Sequence, residues 1–238
     1  MDIKGRLLLL LPLFISGALS ANFTFTNKCP YTVWPATLAG GGKSQLSLTG
    51  FELTTSSSSS LSVPAGWSGR FWARTFCSTA GNFRCNTGDC SSGQVTCNGA
   101  GGAIPSTLVE FTVGGNGGLD FYDVSLVDGF NIPVSVTPQG DSSCNSTSCV
   151  ANINSICPHE LSVVDPNGAI IGCKSACNTF GDPKYCCTGD YGSPVTCPPT
   201  NYSMIFKNKC PLAYSYAYDD KTSLFTCMGA NYLIIFCP

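Results

Sequence analysis

The chain has 238 residues, of which only 11% are charged, and its formal net charge at pH 7 is −2. A typical soluble domain carries about 25% charged residues, so ion pairs cover little of this surface. No cluster of Lys or Arg is available to follow a phosphate backbone, which argues against nucleic acid as a partner.

The first twenty residues predict a secretory signal peptide. Lys4 and Arg6 precede an apolar run over Leu7–Ile15, and small residues lead to a cleavage site before Ala21. The run is too short to span a membrane, and no stop-transfer segment follows it. We therefore predict an exported mature chain of about 218 residues, because cleavage removes residues 1–20. Cleavage also removes one acidic and two basic residues, which leaves a net charge of about −3.

Short strands are predicted after the cleavage site. Polar and apolar residues alternate over 22–26, 46–48 and 61–63, which is the pattern of strands with one buried face. Residues 54–60 are too polar for a core and predict a surface loop. Gly, Pro and Asn separate such segments along the chain, which favours a sandwich or a barrel.

Two segments are rich in cysteine and interrupt this pattern. Residues 77–97 hold four cysteines among Gly, Ser and Thr, which is typical of a small loop held by two local bridges. Residues 144–210 hold nine more, with weak helical signals at 152–156 and 175–180. Strands are predicted again in 202–237. The sequence thus indicates one β body with two cysteine-rich excursions.

All sixteen cysteines lie after the signal segment, and an even count in an exported chain predicts eight disulfides. Adjacent Cys186 and Cys187 would strain if paired with each other, so we assign them to different bridges. A zinc site formed by Cys173, Cys177 and this adjacent pair is the weaker alternative. Such sites belong mainly to reducing compartments, and the single histidine, His159, offers little help as a ligand.

The most informative segment lies within the strands predicted over 108–136. Two apolar-rich runs flank Asn116–Gly117, a pair that favours a two-residue type I′ hairpin turn. With that turn, Glu110 faces Asp123 across the ladder. Like charges directly opposed cost stability, so we expect an intervening arginine, a raised carboxyl pKa or a ligand. A register shift of one residue would instead place the two carboxyls on opposite faces.

Arg70 and Arg74 are the candidate cations for this cluster, and Asp128 follows the second strand closely enough to join it. A structural salt-bridge network and a functional site explain such a cluster equally well. A serine–histidine–aspartate triad would have to use His159, within the cysteine-rich part, and is disfavoured. Neither a phosphate loop nor a metal motif occurs, so we expect no cofactor and no metal.

Three sequons predict exposed acceptors for N-linked glycans. They begin at Asn22, Asn145 and Asn201. Glycosylation at each of them is a hypothesis that depends on export and on exposure of the asparagine side chain.

Several motifs together resemble those of one known family. They are Gly81–Cys97, Pro105–Phe111, Asp120–Pro133 and Cys210–Asp219, in addition to the sixteen cysteines. From about Ala21 to Pro238 the chain is similar to plant thaumatin-like proteins, a pathogenesis-related defence family.

The resemblance implies a mainly β fold, with a β-sandwich main domain and two disulfide-rich satellite domains. The sandwich would comprise 21–74, 108–150 and 211–238. The small satellite would comprise 75–107, and the larger one, with short helices, 151–210. The implied disulfides are Cys29–Cys237, Cys77–Cys85, Cys90–Cys97, Cys144–Cys227, Cys149–Cys210, Cys157–Cys173, Cys177–Cys186 and Cys187–Cys197.

The resemblance also implies an acidic cleft between the sandwich and the larger satellite. By position its residues would be Arg74, Glu110, Asp123, Asp128 and Asp219, with Arg70 as the alternative arginine. The implied function is antifungal defence, in which the cleft binds β-1,3-glucan or another fungal wall or membrane component. Phe121 or Tyr122 would add stacking surface.

The alternative activity is that of a weak endo-β-1,3-glucanase with Glu110 and Asp123 as its catalytic pair. We further expect a secreted monomer without a transmembrane segment, located in the apoplast or in a vacuole. Allergenicity follows from family membership and from resistance to proteases. A sweet-tasting role is set aside, because taste in this family accompanies a basic surface.

Overall fold

A computed structural model describes residues 20–140 and 143–238. The predicted signal peptide, apart from Ser20, lies outside the described residues. In the two described ranges, none of the helices combines the length and the apolar composition needed to cross a membrane.

The described residues form thirteen strands and four α-helices, with short 3₁₀ turns between some of them. The strands are β1 (Ala21–Asn27), β2 (Trp34–Ala39), β3 (Ser58–Val63), β4 (Ser68–Ser78), β5 (Arg84–Thr87), β6 (Leu108–Thr112), β7 (Asp120–Ser125), β8 (Val134–Gln139), β9 (Thr147–Cys149), β10 (Ser162–Val164), β11 (Ile170–Cys173), β12 (Phe225–Cys227) and β13 (Asn231–Phe236). The helices are α1 (Ala176–Phe180), α2 (Pro183–Cys186), α3 (Asn201–Lys209) and α4 (Asp220–Ser223).

Two sheets pack face to face as a β-sandwich. One has the strand order β3-β1-β13-β8-β9, and the other has β12-β7-β6-β4-β2 with β5 paired to β4. Alternate residues of each strand point between the sheets, where aromatic rings fill the core. The ring centroid of Phe23 on β1 lies 4.6 Å from that of Phe111 on β6, which lies 4.7 Å from that of Tyr232 on β13. The predicted mainly β fold is confirmed.

The predictions for the first strands are partly confirmed. Residues 22–26 lie in β1 and 61–63 in β3, but the strand predicted at 46–48 is wrong. There the apolar side chains alternate because Leu46 and Leu48 of an irregular loop pack onto the core.

The loop predicted at 54–60 is wrong for its last three residues, which belong to β3. Their polarity reflects the outward face of the strand, where serine hydroxyls pair with threonines of β1. The hydroxyl of Ser58 lies 2.8 Å from that of Thr26, and the hydroxyl of Ser60 lies 3.1 Å from that of Thr24.

The helical signals at 152–156 and 175–180 correspond to a 3₁₀ turn, Ile153–Ile156, and to α1. The strands predicted from residue 202 are wrong over α3. Thr200 caps α3 by accepting a hydrogen bond from the backbone N–H of Ser203, whose hydroxyl accepts one from the backbone N–H of Thr200. This reciprocal capping favours a helix where short apolar runs alone indicated a strand.

The structure contains eight disulfides, and each sulfur of the considered zinc site belongs to one of them. They are Cys29–Cys237, Cys77–Cys85, Cys90–Cys97, Cys144–Cys227, Cys149–Cys210, Cys157–Cys173, Cys177–Cys186 and Cys187–Cys197. Adjacent Cys186 and Cys187 therefore lie in different bridges. The division into a sandwich and two satellites at residues 74, 107, 150 and 210 stays a prediction.

Candidate functional site

Three charged side chains form a row across the middle of the second sheet. Glu110 on β6 pairs with Asp123 on β7 and, on its other side, with Arg70 on β4. Directly paired residues share one face of a sheet. The neighbouring residues Phe71 and Phe111 point into the core. The row of Arg70, Glu110 and Asp123 therefore lies on the sheet face turned away from the sandwich core.

The register agrees with the predicted one, but the predicted turn is wrong. The connection between β6 and β7 spans residues 113–119 and contains a 3₁₀ turn at Asn116–Gly118. Gly114 has a φ of 60°, and its N–H donates to Asp120 Oδ1 over 2.7 Å. The last ladder pair is Thr112 with Phe121, so the turn is longer by three residues on each side of Asn116–Gly117, and Glu110 still faces Asp123.

Two depressions meet at the row of Arg70, Glu110 and Asp123. The first, of about 500 Å³, is also lined by Leu38, Gly40, Thr112, Phe121 and Leu224. The second, of about 390 Å³, is also lined by Leu108, Ser125, Asp128, Tyr214 and Asp220. We call the two depressions together the acidic cleft. The first half has apolar and polar lining in similar measure, and the second is mainly polar, with hydroxyl and carboxyl groups.

Asp123 is the most perturbed group of the acidic cleft. The residue is 9% exposed, and its Oδ2 atom is buried without a hydrogen-bond partner. Burial, and to a lesser extent the nearby carboxylates of Glu110 and Asp220, together raise the pKa of its carboxyl to about 8. Asp123 is therefore mainly protonated at neutral pH and can both donate and accept a hydrogen bond.

Glu110 and Asp128 flank the arginine of the row. Arg70 Nη1 lies 3.7 Å from Asp128 Oδ2. The pKa of Glu110 is raised overall: burial is the largest cause, Arg70 opposes the rise, and Asp128 adds to it. Because the cation opposes the effect of burial at Glu110 and not at Asp123, the two opposed carboxyls have different environments.

Arg74, assigned to the cleft from the family resemblance, does not lie in it. Its side chain is 0% exposed, and its guanidinium donates to the carbonyl oxygens of Trp34 at 3.0 Å and Val95 at 2.6 Å. It also lies 4.9 Å from the ring centroid of Phe83. Arg70 and Arg74 lie on the same face of β4, but residues 88–97 cover Arg74. Arg70 is therefore the arginine of the cleft.

Asp219, which the resemblance also assigns to the cleft, does not line it. Its Oδ2 accepts from Lys207 Nζ and from the Ser215 N–H, each at 2.9 Å, so it stabilises a turn. The next residue, Asp220, lines the cleft instead, and its Oδ1 accepts from the hydroxyl of Tyr214 at 2.9 Å. Sequence reasoning missed Asp220 and Tyr214, although both adjoin or lie within the matching motif Cys210–Asp219.

The other candidates are distributed as follows. Phe121 lines the cleft, whereas Tyr122 is buried in the sandwich core, as strand alternation requires. The sequon asparagines Asn22, Asn145 and Asn201 are all exposed. Among the described residues, no group of three or more His, Cys, Asp or Glu side chains is arranged to hold a metal ion.

Comparisons with known proteins agree with this fold. The sequence model of the Thaumatin family matches residues 27–238. The chain is 63% identical over 227 residues to "Thaumatin-like protein 1" of Pyrus pyrifolia, covering 94% of this chain and 93% of the relative. It is 57% identical over 230 residues to a Prunus avium protein named "Glucan endo-1,3-beta-glucosidase", covering 95% of this chain and 94% of that protein. It is 55% identical over 242 residues to "Pathogenesis-related protein 5" of Arabidopsis thaliana, covering 100% and 99%. The chain therefore belongs to the thaumatin family.

Proposed function

We propose that this pathogenesis-related protein is secreted and antifungal, and that its acidic cleft binds β-1,3-glucan or another fungal wall or surface component. The observation that carries this proposal is the row of Arg70, Glu110 and Asp123 at the meeting point of two open depressions. Ligand sites typically combine apolar walls with a few convergent polar groups, and this cleft has both.

The chemistry of the row suits a neutral sugar chain. Each hydroxyl of a sugar can donate to Glu110 and accept from Arg70, and protonated Asp123 can do either. Phe121 and Leu224 provide apolar surface for the C–H faces of the sugar rings in the first depression. A sugar polymer needs no net charge to bind here, because donors and acceptors alternate within a few ångströms.

Binding of a laminarin-type glucan tests the proposal. We expect Glu110→Gln, Glu110→Ala and Asp123→Ala to weaken affinity about tenfold, because a hydrogen bond to a charged or buried group is lost. Asp123→Asn keeps a donor and an acceptor of the same shape and should retain most of the affinity. Glu52→Gln, which changes an exposed carboxyl outside the cleft lining, is the matched control and should leave affinity unchanged. Unchanged affinity in all Glu110 and Asp123 variants would remove the cleft from glucan binding.

A second candidate is weak endo-β-1,3-glucanase activity at the same residues. Its support is the different environment of the two opposed carboxyls, whose Cβ atoms lie about 4.5–5.5 Å apart in such pairs. Asp123, with its raised pKa, suits a general acid. Glu110, where Arg70 opposes the rise in pKa caused by burial, suits the nucleophile or base. The 57% identity to the Prunus avium protein also favours this candidate.

Release of reducing ends from laminarin separates the two candidates. An enzyme should lose this release in Glu110→Gln and in Asp123→Asn, whereas a binding protein should retain glucan without releasing reducing ends. Glu52→Gln again controls for an unspecific effect of removing one carboxylate.

Secretion is proposed from the predicted signal peptide together with the eight disulfides, which persist in oxidising compartments. We place the protein in the apoplast, with a vacuole as the alternative destination. That the protein is a monomer, a glycoprotein and an allergen stays a prediction.

A further inference from the structure

Three aromatic rings form an exposed cluster outside the acidic cleft. Phe180 at the end of α1, Tyr185 in α2 and Tyr202 in α3 have ring centroids 5.4–5.6 Å apart. Phe180 is 44% exposed, and both tyrosines are half-buried. We call these three residues the aromatic cluster. Disulfides Cys177–Cys186 and Cys187–Cys197 hold the segment in which α1 and α2 lie, so the cluster is supported by a rigid part of the chain.

Polar contacts fix the orientation of two of its rings. The hydroxyl of Tyr202 donates to Glu160 Oε1 over 2.9 Å. Lys184 Nζ lies 4.7 Å from the ring centroid of Tyr185 and covers one face of that ring. Phe180 has no polar group and remains the most exposed ring of the cluster. Clustered exposed rings provide apolar surface on which a ligand or another group can pack.

One of the three N-glycosylation sequons overlaps the aromatic cluster. Asn201–Tyr202–Ser203 contains one cluster residue as its middle position, and Asn201 is the exposed first residue of α3. Ser203 and Phe206 form the buried side of α3. Successive residues of a helix are about 100° apart around its axis, so Asn201 and Tyr202 point in different directions, and both lie outside the buried side of α3.

The exposed side of α3 carries a further apolar side chain. Met204 is 37% exposed and lies three residues after Asn201, which makes the two side chains neighbours on the helix surface. A group attached to Asn201 thus has exposed apolar surface on two sides, from Tyr202 with Phe180 and from Met204.

The other two sequons lack this arrangement. Asn22 lies on an outer sheet face, where it pairs with Ser62 of β3 and its N–H donates to Asn231 Oδ1 over 2.8 Å. The carbonyl oxygen of Asn145 accepts from the hydroxyl of Tyr122, whose ring is buried in the sandwich core. Neither asparagine adjoins an exposed ring of the aromatic cluster.

We propose that Asn201 carries an N-linked glycan and that its first N-acetylglucosamine packs against Phe180 and Tyr202 of the aromatic cluster. In the transfer, the Asn201 amide nitrogen forms a bond to C1 of the sugar and loses one proton. The bond between C1 and the pyrophosphate oxygen of a lipid-linked oligosaccharide donor breaks, and the pyrophosphate leaves with the electron pair. The proposal requires the export proposed above and is independent of the cleft.

Two physical effects favour the packing of the sugar against these rings. The C–H face of a pyranose ring and its N-acetyl methyl group are apolar and complement an aromatic face. The covalent link also keeps the sugar beside the cluster at a high effective concentration, so the translational entropy cost of binding is already met.

The full chain, secreted from yeast, tests both parts of the proposal. Mass spectrometry of glycopeptides should find a glycan on Asn201. Asn201→Gln should lower the unfolding temperature by about 2–4 °C, and by no more than about 1 °C in a Phe180→Ser background. Phe76→Ser removes an equally exposed ring, at 45%, that contacts Tyr31, and in this control background the full effect should persist.

Two further measurements separate the sugar from the side chain. Enzymatic trimming of each glycan to a single N-acetylglucosamine should leave the unfolding temperature unchanged. In protein refolded from bacteria, which carries no glycan, Asn201→Gln should have no effect. An unmodified Asn201, a loss of stability on trimming, or an equal effect in the Phe180→Ser background would each overturn the proposal.

Discussion

Replacing Asp123 by asparagine should make the protein more stable at neutral pH. Asp123 is 9% exposed, has one carboxyl oxygen without a hydrogen-bond partner and faces Glu110 across the ladder. Ionisation at this position places a second negative charge in a buried site. Asparagine has nearly the same shape and never ionises, and its amide N–H groups can donate to the Glu110 carboxylate.

The size of the effect follows from the pKa of Asp123. Burial, with smaller contributions from Glu110 and Asp220, raises this pKa from the ordinary 3.8 to about 8. Between these two values the folded state keeps a proton that the unfolded state has lost, so stability falls as pH rises. The slope is about 1.4 kcal/mol per pH unit. Raising the pH from 5 to 7 should therefore cost the wild type about 2–3 kcal/mol from this group alone.

Guanidinium unfolding at pH 5, 6, 7 and 8, with the disulfides intact, measures this dependence. We expect the curve of Asp123→Asn to be flatter than that of the wild type by about 2–3 kcal/mol between pH 5 and 7. Glu110→Gln is the control, because it removes the neighbouring charge and leaves the burial of Asp123. Parallel curves for wild type and Asp123→Asn would show that Asp123 ionises at its ordinary pKa and would refute the reasoning.

Two further predictions concern residues that the family resemblance placed in the cleft. Arg74→Ala should cost about 3–5 kcal/mol in chemical unfolding, because buried carbonyl oxygens of Trp34 and Val95 lose their donor. Arg70→Ala, which breaks a partly exposed pair at 3.7 Å, should cost less than about 1 kcal/mol. Asp220→Asn should weaken laminarin binding, whereas Asp219→Asn should leave it unchanged and lower stability, because Lys207 loses its 2.9 Å partner. Equal effects of the two aspartate variants on binding would contradict the placement of Asp220.

Local patterns predicted the parts of the fold that depend on local chemistry. The alternation in β1 and the even cysteine count each report one physical requirement, a half-buried strand and an oxidised framework. The loop containing Leu46 and Leu48 shows the same alternation, although the reason there is packing onto the core. An alternating pattern of apolar residues cannot distinguish a strand from a loop that packs onto the core, because both bury alternate side chains.

The sequence predicted those site residues whose positions depend on strand register. It missed those whose positions depend on tertiary packing. Glu110 and Asp123 face each other because the loop after β6 lengthened equally on both sides. Arg70 and Arg74 share one strand face and lie four residues, or about 13 Å, apart. Only the path of residues 88–97, which covers Arg74, decides which of them reaches the cleft. That path depends on contacts distant in sequence, so no local pattern predicts it.

The charge state of the row connects the two candidate functions of the cleft. A glycosidase needs one protonated and one ionised carboxyl at the same pH. The combination of a buried Asp123 and a Glu110 beside Arg70 favours this difference, because Arg70 opposes the rise in pKa that burial causes at Glu110. The same difference serves binding, because a protonated Asp123 can donate to a sugar oxygen while Glu110 accepts from a hydroxyl. Above pH 8 Asp123 is mainly ionised, its donor is lost, and acid catalysis and donation to sugar should weaken together. A pH profile of glucan binding alone therefore cannot distinguish the two, and only the release of reducing ends identifies an enzyme.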